Sequence, residues 1–308
     1  MNRREFSRNV LKAAAAAGAL PAVTRLEAAV SVPEQEQAGR RLSVMLWTVF
    51  RKLPFEQRLE KVAEAGYHAV ELVDEFRKWE TADFARAASR RRALGITFDA
   101  TAGLSTGIAD PAARGKFLEE VSRMLDTMEK LECRSLIVLS GDSVPGLSRE
   151  AQHRSCVEGL QRAGELAARR GATLLLENID PEENPKYYLT SSREGFEVVR
   201  QAGHPNVRFL YDLYHEQIAE GNLIETLEKN FAQLGLVHVA DVPGRHQPGT
   251  GEINFRNIFR KLAELNYGGH MAMEFLPEGD AVAALRGARQ LAVSSWHEPF
   301  PASPSAKT

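Results

Sequence analysis

The chain has 308 residues, 44% hydrophobic and 26% charged, with a formal net charge of −2. That is globular composition, long enough for one large domain or two medium ones. The lack of a sustained basic stripe argues against a nucleic-acid surface, and no apolar run approaches the roughly 18 residues of a spanning helix.

The N-terminus differs in kind from the rest. "MNRREFSRNVLKAAAAAGALPAV" sets Arg3 and Arg4 ahead of Phe6 and an Ala-rich apolar run. A positive segment before a short apolar one reads as an export signal, with a basic tail as the alternative. The paired arginines resemble the twin-arginine type, so the expected partner of the precursor is the Tat export machinery and the expected location is the periplasm. Residues 1–38 are therefore assigned to signal and linker, with cleavage near Ala22 or near Ala28-Ala29.

From residue 39 to 295, short apolar runs alternate with longer segments whose apolar residues recur three or four apart. Strands are expected at 42–49, 69–73, 96–102, 135–141, 173–178, 207–212, 235–241 and 270–275. Most are Leu-rich or β-branched and nearly continuous in apolar character, as in parallel strands buried on both faces. Between them lie helical patterns such as Phe117, Val121, Met124, Leu125, Met128 and Ile258, Phe259, Leu262, Leu265. Gly66, Gly95, Gly171 and Gly203 stand where a left-handed residue would stop a helix before the next strand. Eight strands alternating with eight helices over about 250 residues predict a single-domain (β/α)8 TIM barrel. The alternative, an open doubly wound sheet, lacks a G-x-G-x-x-G after the first strand. Cys133 and Cys156 permit one disulfide or two buried thiols. The tail 296–308, "WHEPFPASPSAKT", is Pro- and Ser-rich and is expected to be irregular.

In such a barrel the active site forms at the C-terminal ends of the strands. Glu177 ends the fifth strand, Asp212 the sixth and Glu274 the eighth, while His238 lies in the seventh with Asp241 beyond it. Singly, each has an ordinary reading: Asp212 as a helix cap, His238 as a hydrogen-bonded core histidine. Together they do not. A buried Glu is costly unless paired or bound to a cation, and converging carboxylates repel unless a divalent ion joins them. Two Glu, one Asp and one His suit one Mn²⁺, Co²⁺, Mg²⁺ or Zn²⁺.

The stretches "YDLYHEQIAEGNLIETL" (211–227) and "HVADVPGRHQPGTGEINF" (238–255), supported by "LLLENID" and "MAMEF", are specific. They resemble the sugar isomerase and epimerase barrels related to xylose isomerase, and within them hydroxypyruvate isomerase. The resemblance covers about residues 42–292. It implies a divalent metal held by Glu177, Asp212, His238 and Glu274, with Glu177 and Glu274 as the acid/base pair. It places His215, Arg245 and Glu183 against a small hydroxy-carbonyl or sugar substrate. One departure stands out: hydroxypyruvate isomerases carry Gln at the position of His238, whereas the sugar epimerases carry His.

The residues themselves add to this. His215 follows Asp212 by one helical turn and can face the same cleft. Arg245, in a Gly- and Pro-rich loop, can anchor a carboxylate or a hydroxyl, or can pair with Glu252. Glu71 at the end of the second strand and Trp47 at the end of the first are expected to line the cleft. The expected reaction is isomerisation through an enediolate. The alternatives are a keto-sugar 2- or 3-epimerase and a non-catalytic metal- or sugar-binding barrel. A barrel endonuclease fits poorly, because only eight His occur and few lie at strand ends.

Overall fold

The structure, a computed structural model, describes residues 38, 39 and 41–298. The expected export segment, apart from Ala38, and the tail beyond Glu298 lie outside the described residues. Eight parallel strands form one closed barrel in sequence order. They are β1 (Leu42–Met45), β2 (Ala69–Leu72), β3 (Thr97–Thr101), β4 (Ser135–Leu139), β5 (Thr173–Glu177), β6 (Val207–Asp212), β7 (Leu234–Val239) and β8 (His270–Met273). Closure comes from β1 against β8, with Ser43 opposite Ala272.

Among the described residues, nine α-helices follow from residue 55 onward: α1 (Phe55–Glu64), α2 (Thr81–Ala93), α3 (Arg114–Leu131), α4 (Arg149–Arg169), α5 (Ser192–Ala202), α6 (Leu213–Ala219), α7 (Leu223–Lys229), α8 (Phe255–Glu264) and α9 (Ala281–Trp296). The expected single helix after β6 is two, because Gly221 and Asn222 adopt φ of 62° and 52° and break it. The first strand is shorter than expected. It ends at Met45, and Leu46–Thr48 turn into a 3-10 helix that lifts Trp47 onto the rim. Gly66, Gly95, Gly171 and Gly203 all take positive φ at helix ends, as expected. Cys133 and Cys156 are free buried thiols. No helix among the described residues is long and apolar enough to cross a membrane.

The two-residue period of the strands builds two apolar layers. Leu174, Leu176, Phe209 and Val237 face outward into the shell between sheet and helices. Met45, Ala100, Ile137, Leu175, Leu210 and Leu236 face inward and fill the barrel. The inner group forms the floor of the site. Two residues further along three of those strands come Glu177, Asp212 and His238, on the same face and one layer nearer the C-terminal rim. The register shifts where β3 inserts an extra residue, Asp99, opposite Val70 and Glu71, and where β7 inserts Gly235 opposite Phe209 and Leu210, and such bulges re-aim the β3 and β7 side chains that follow them.

Candidate metal centre

Glu177, Asp212, His238 and Glu274 meet above the floor. Each offers one ligand atom, all four atoms lie within 4.8 Å of one another, and all four residues are buried. His238 Nδ1 stands 2.7 Å from Glu274 Oε2, 3.5 Å from Glu177 Oε1 and 4.0 Å from Asp212 Oδ2. His238 Nδ1 and Glu274 Oε2 point at each other, yet both are buried without a properly formed hydrogen bond. A divalent ion fits this donor set: three carboxylates and one imidazole nitrogen converge in a dry pocket, with two ligand atoms left unsatisfied.

The electrostatics agree. Burial pushes the Glu177 carboxyl up, with Glu274 and Asp212 adding repulsion. Burial also opposes ionisation of Glu274, but the Arg245 guanidinium and His238 outweigh it and hold that carboxyl well below the usual range. Burial disfavours a charge on His238, and the carboxylates of Glu71 and Glu274 override it, raising the imidazole well above its ordinary value. Converging carboxylates of this kind favour a positive charge among them.

Asp212 is both things its position suggested. Its Oδ1 accepts N–H bonds from Tyr214 at 2.7 Å and His215 at 3.4 Å, capping α6. Its Oδ2 faces the cluster.

The other expected residues divide. His215 is buried beside the cluster, with Nε2 3.5 Å from Asp212 Oδ2 and no hydrogen-bond partner for that nitrogen. Its Nδ1 lies 2.6 Å from Asp180 Oδ2. Burial opposes a charge on His215, but Asp212 and Asp180 outweigh it and push the imidazole up to about 9. Arg245 lies 2.7 Å from Glu183 Oε2, 2.9 Å from Glu274 Oε2 and 3.4 Å from Asp212 Oδ2. Its guanidinium also sits between the rings of Trp47 at 5.6 Å and Tyr214 at 5.0 Å. Glu183 is half-exposed and reaches the site through Arg245, with its Oε2 also 4.0 Å from His215 Nδ1.

Two expectations are corrected. Glu71 does not line the cleft. It is fully buried inside the barrel, behind the cluster, where its Oε2 lies 2.9 Å from His238 Nε2. Burial pushes this carboxyl up to about 8. The inward pleat of β2 turns it into the barrel, toward β7, rather than toward solvent. Glu252 does not pair with Arg245. Its Oε1 accepts from Gln217 Nε2 at 3.0 Å.

Three further residues shape the site: Trp47, expected to line the cleft, and Asp180 and Asp241, to which no role had been assigned. Asp180 holds His215 and also accepts N–H bonds from Glu182 and Glu183 at 2.8 and 2.9 Å. Trp47 Nε1 donates to Glu274 Oε1 at 2.7 Å. Asp241 ties the Arg245 loop together by accepting from the N–H groups of Val242, Gly249, Gly251 and Ile253. Gly251 has no room for a side chain there, since a Cβ would lie 2.0 Å from Val242 O. The sequence signal for Asp241 was available, as a carboxylate opening a loop with three glycines. Asp180 and the Trp47 bond carried none.

The sequence matches the xylose isomerase-like TIM barrel family over residues 59–291. It is 26% identical over 265 residues to 2-oxo-tetronate isomerase of Pectobacterium atrosepticum, covering 84% of this chain and 97% of that one. It is 27% identical to hydroxypyruvate isomerase of Escherichia coli, over 84% of this chain and 99% of that one. A solved structure titled AP endonuclease, family 2, from Brucella melitensis superposes with a TM-score of 0.74 at 29% identity, covering 80% of this chain and 96% of that one. The chain belongs to the xylose isomerase-like TIM barrel family and is an enzyme of its isomerase and epimerase class.

Proposed function

We propose that the protein is a divalent-metal-dependent isomerase of a small hydroxy-carbonyl compound, with Glu177 and Glu274 as the acid/base pair. The observation that carries this reading is the buried meeting of Glu177, Asp212, His238 and Glu274 within 4.8 Å. The names of the two isomerase relatives support the same class.

A cation held by these four residues would supply Lewis-acid stabilisation of the charge that develops on the substrate carbonyl oxygen. The chain supplies the rest. Glu177 and Glu274 come from strands on different sides of the barrel, so one carboxylate removes the carbon-bound proton and a carboxyl returns a proton to the neighbouring carbon. His215 Nε2, buried and unpartnered, is available to a substrate oxygen. Arg245, held between two aromatic rings and three carboxylates, keeps the cluster from repelling an enediolate. The apolar floor and the buried walls exclude water from the reactive intermediate.

A second reading, a keto-sugar 2- or 3-epimerase, is favoured by His238, the residue that the epimerases of the resemblance carry. The two differ only in where the proton is returned: to the neighbouring carbon, or to the opposite face of the same one. Export through the Tat machinery to the periplasm belongs to the same proposal and rests on Arg3-Arg4 and the apolar run behind them.

The first experiment is metal analysis of the purified protein beside a Glu177→Ala, Asp212→Ala double variant, followed by proton-exchange assays on hydroxypyruvate, 2-oxo-tetronate and keto-sugars. About one ion per chain, lost in the variant, with turnover of one of these compounds, supports the reading. Absence of ion uptake from Mn²⁺, Co²⁺, Mg²⁺ and Zn²⁺ refutes it.

A further inference from the structure

Glu71 is a carboxylate where a barrel core should have an aliphatic side chain. It lies inside β2, is fully excluded from water, and has no cationic Lys or Arg partner in contact. A buried charge of this kind persists only where something compensates for it. Its one hydrogen-bond partner is the His238 imidazole, whose Nε2 lies 2.9 Å from Glu71 Oε2 across the barrel, from β7. Glu71 Oε1 has no partner at all among the described residues. Its place on the inward pleat of β2, between the outward Val70 and Leu72, aims the side chain into the barrel at this contact.

The contact divides the two ring nitrogens. With Glu71 ionised, Nε2 faces an acceptor and carries the hydrogen. Nδ1 faces Glu177, Asp212 and Glu274 and must offer its lone pair if the cluster is to hold an ion. In the opposite tautomer, Nε2 would present a lone pair to Glu71, and Nδ1 would present a hydrogen to the metal position.

We propose that Glu71 is a positioning residue of the metal centre, fixing the tautomer and ring orientation of His238 so that Nδ1 is a ligand. The inference rests on the metal reading above and adds to it a residue that touches neither ion nor substrate. A carboxylate behind a ligating histidine raises the basicity of the ligand and locks its plane, and removing it typically weakens metal binding by about 10–100-fold.

The test is calorimetric titration of Mn²⁺ and Zn²⁺ into the metal-stripped wild type, Glu71→Gln and Glu71→Ala, with ¹⁵N NMR of the histidine rings. Glu71→Gln keeps an acceptor oxygen but loses the charge, and its Kd is expected to rise about 10-fold. Glu71→Ala is expected toward 100-fold. The wild-type spectrum is expected to show His238 with hydrogen on Nε2, and the Ala variant a mixture of tautomers. A merely structural Glu71 would lower the unfolding temperature of the stripped protein and leave Kd and tautomer as in the wild type; that result overturns the inference alone. Absence of uptake by the wild type overturns both the inference and the metal reading beneath it. If Glu71→Ala does not fold, the near-isosteric Glu71→Gln and the wild-type tautomer still decide, and an Nδ1–H tautomer in the wild type is sufficient to overturn the proposal.

Discussion

Arg245 can act only if its loop holds still, and one side chain holds it. The fully buried Asp241 accepts from Val242 N at 3.0 Å and Ile253 N at 3.1 Å through Oδ1, and from Gly249 N and Gly251 N at 2.9 Å each through Oδ2. Asp241→Asn changes almost no volume but turns one oxygen into an N–H donor. Ile253 is buried and cannot find water, so the remaining oxygen stays with Val242 and Ile253. The new amide then faces the two glycine N–H groups, donor against donor. Two bonds to a charged acceptor contribute about 1.5–3 kcal/mol each. Gly249 and Gly251 are exposed, so water replaces part of that, leaving a loss of about 2 kcal/mol. That is about a 30-fold rise in the population of the open loop. The assay is native-state amide hydrogen exchange over residues 241–253. Exchange of these amides is expected to quicken about 30-fold while the strand amides stay protected. A change below about threefold, or an equal change throughout the barrel, refutes the clamp.

Glu274→Gln should abolish turnover and leave the circular dichroism spectrum of the barrel intact; normal turnover would remove the acid/base assignment. Asp212→Asn can keep its capping oxygen on Tyr214 and His215 while losing the charge that faces His238, so metal uptake should fall with the melting temperature little changed. A large drop in melting temperature with unaltered uptake would reverse the roles of its two oxygens. Glu120 accepts from the N–H and hydroxyl groups of Ser105 and Thr106. Burial works against its charge, but these bonds prevail and hold the carboxyl at about 2, below its ordinary 4.5. A folded pKa below the unfolded one gives stability that is present above pH 4.5 and is lost as pH falls toward 2. Glu120→Gln should flatten that acid limb of the melting curve, and an unchanged limb refutes the assignment.

The barrel was legible because its strands are continuous apolar runs that end in single carboxylates. The inward Leu175 and Leu210 predict, by a period of two, that Glu177 and Asp212 look into the barrel as well. What stayed hidden depended on closure. Trp47 reaches Glu274 because β1 pairs with β8, a contact 227 residues apart in the chain. Glu71 was read as a cleft residue because its place in strand two was visible, whereas the His238 ring across the barrel was not. Asp180 finds His215 only when the loops after β5 and β6 fold side by side, 35 residues apart. The break at Gly221-Asn222, like Asp241, was a miss with a local signal, since that dipeptide punctuates helices.

A common device runs through the residues of the site. Asp212 anchors Oδ1 on the first turn of α6 and presents Oδ2 to the cluster. Glu274 anchors Oε1 on Trp47 and presents Oε2 to His238 and Arg245. Asp180 anchors Oδ1 on the backbone of Glu182 and Glu183 and presents Oδ2 to His215. In each, one oxygen belongs to the scaffold and the other to the chemistry. A carboxylate held in this way has already given up its rotamer freedom during folding, so a ligand that arrives later need not order it. The mutual repulsion of these groups is likewise met during folding, by Arg245, which pairs with Asp212 and Glu274 and lies over Trp47 and Tyr214. On the proposed function, the site is therefore preorganised for a cation and for a developing enediolate before either is present, which is the condition under which electrostatic stabilisation acts most strongly on a transition state.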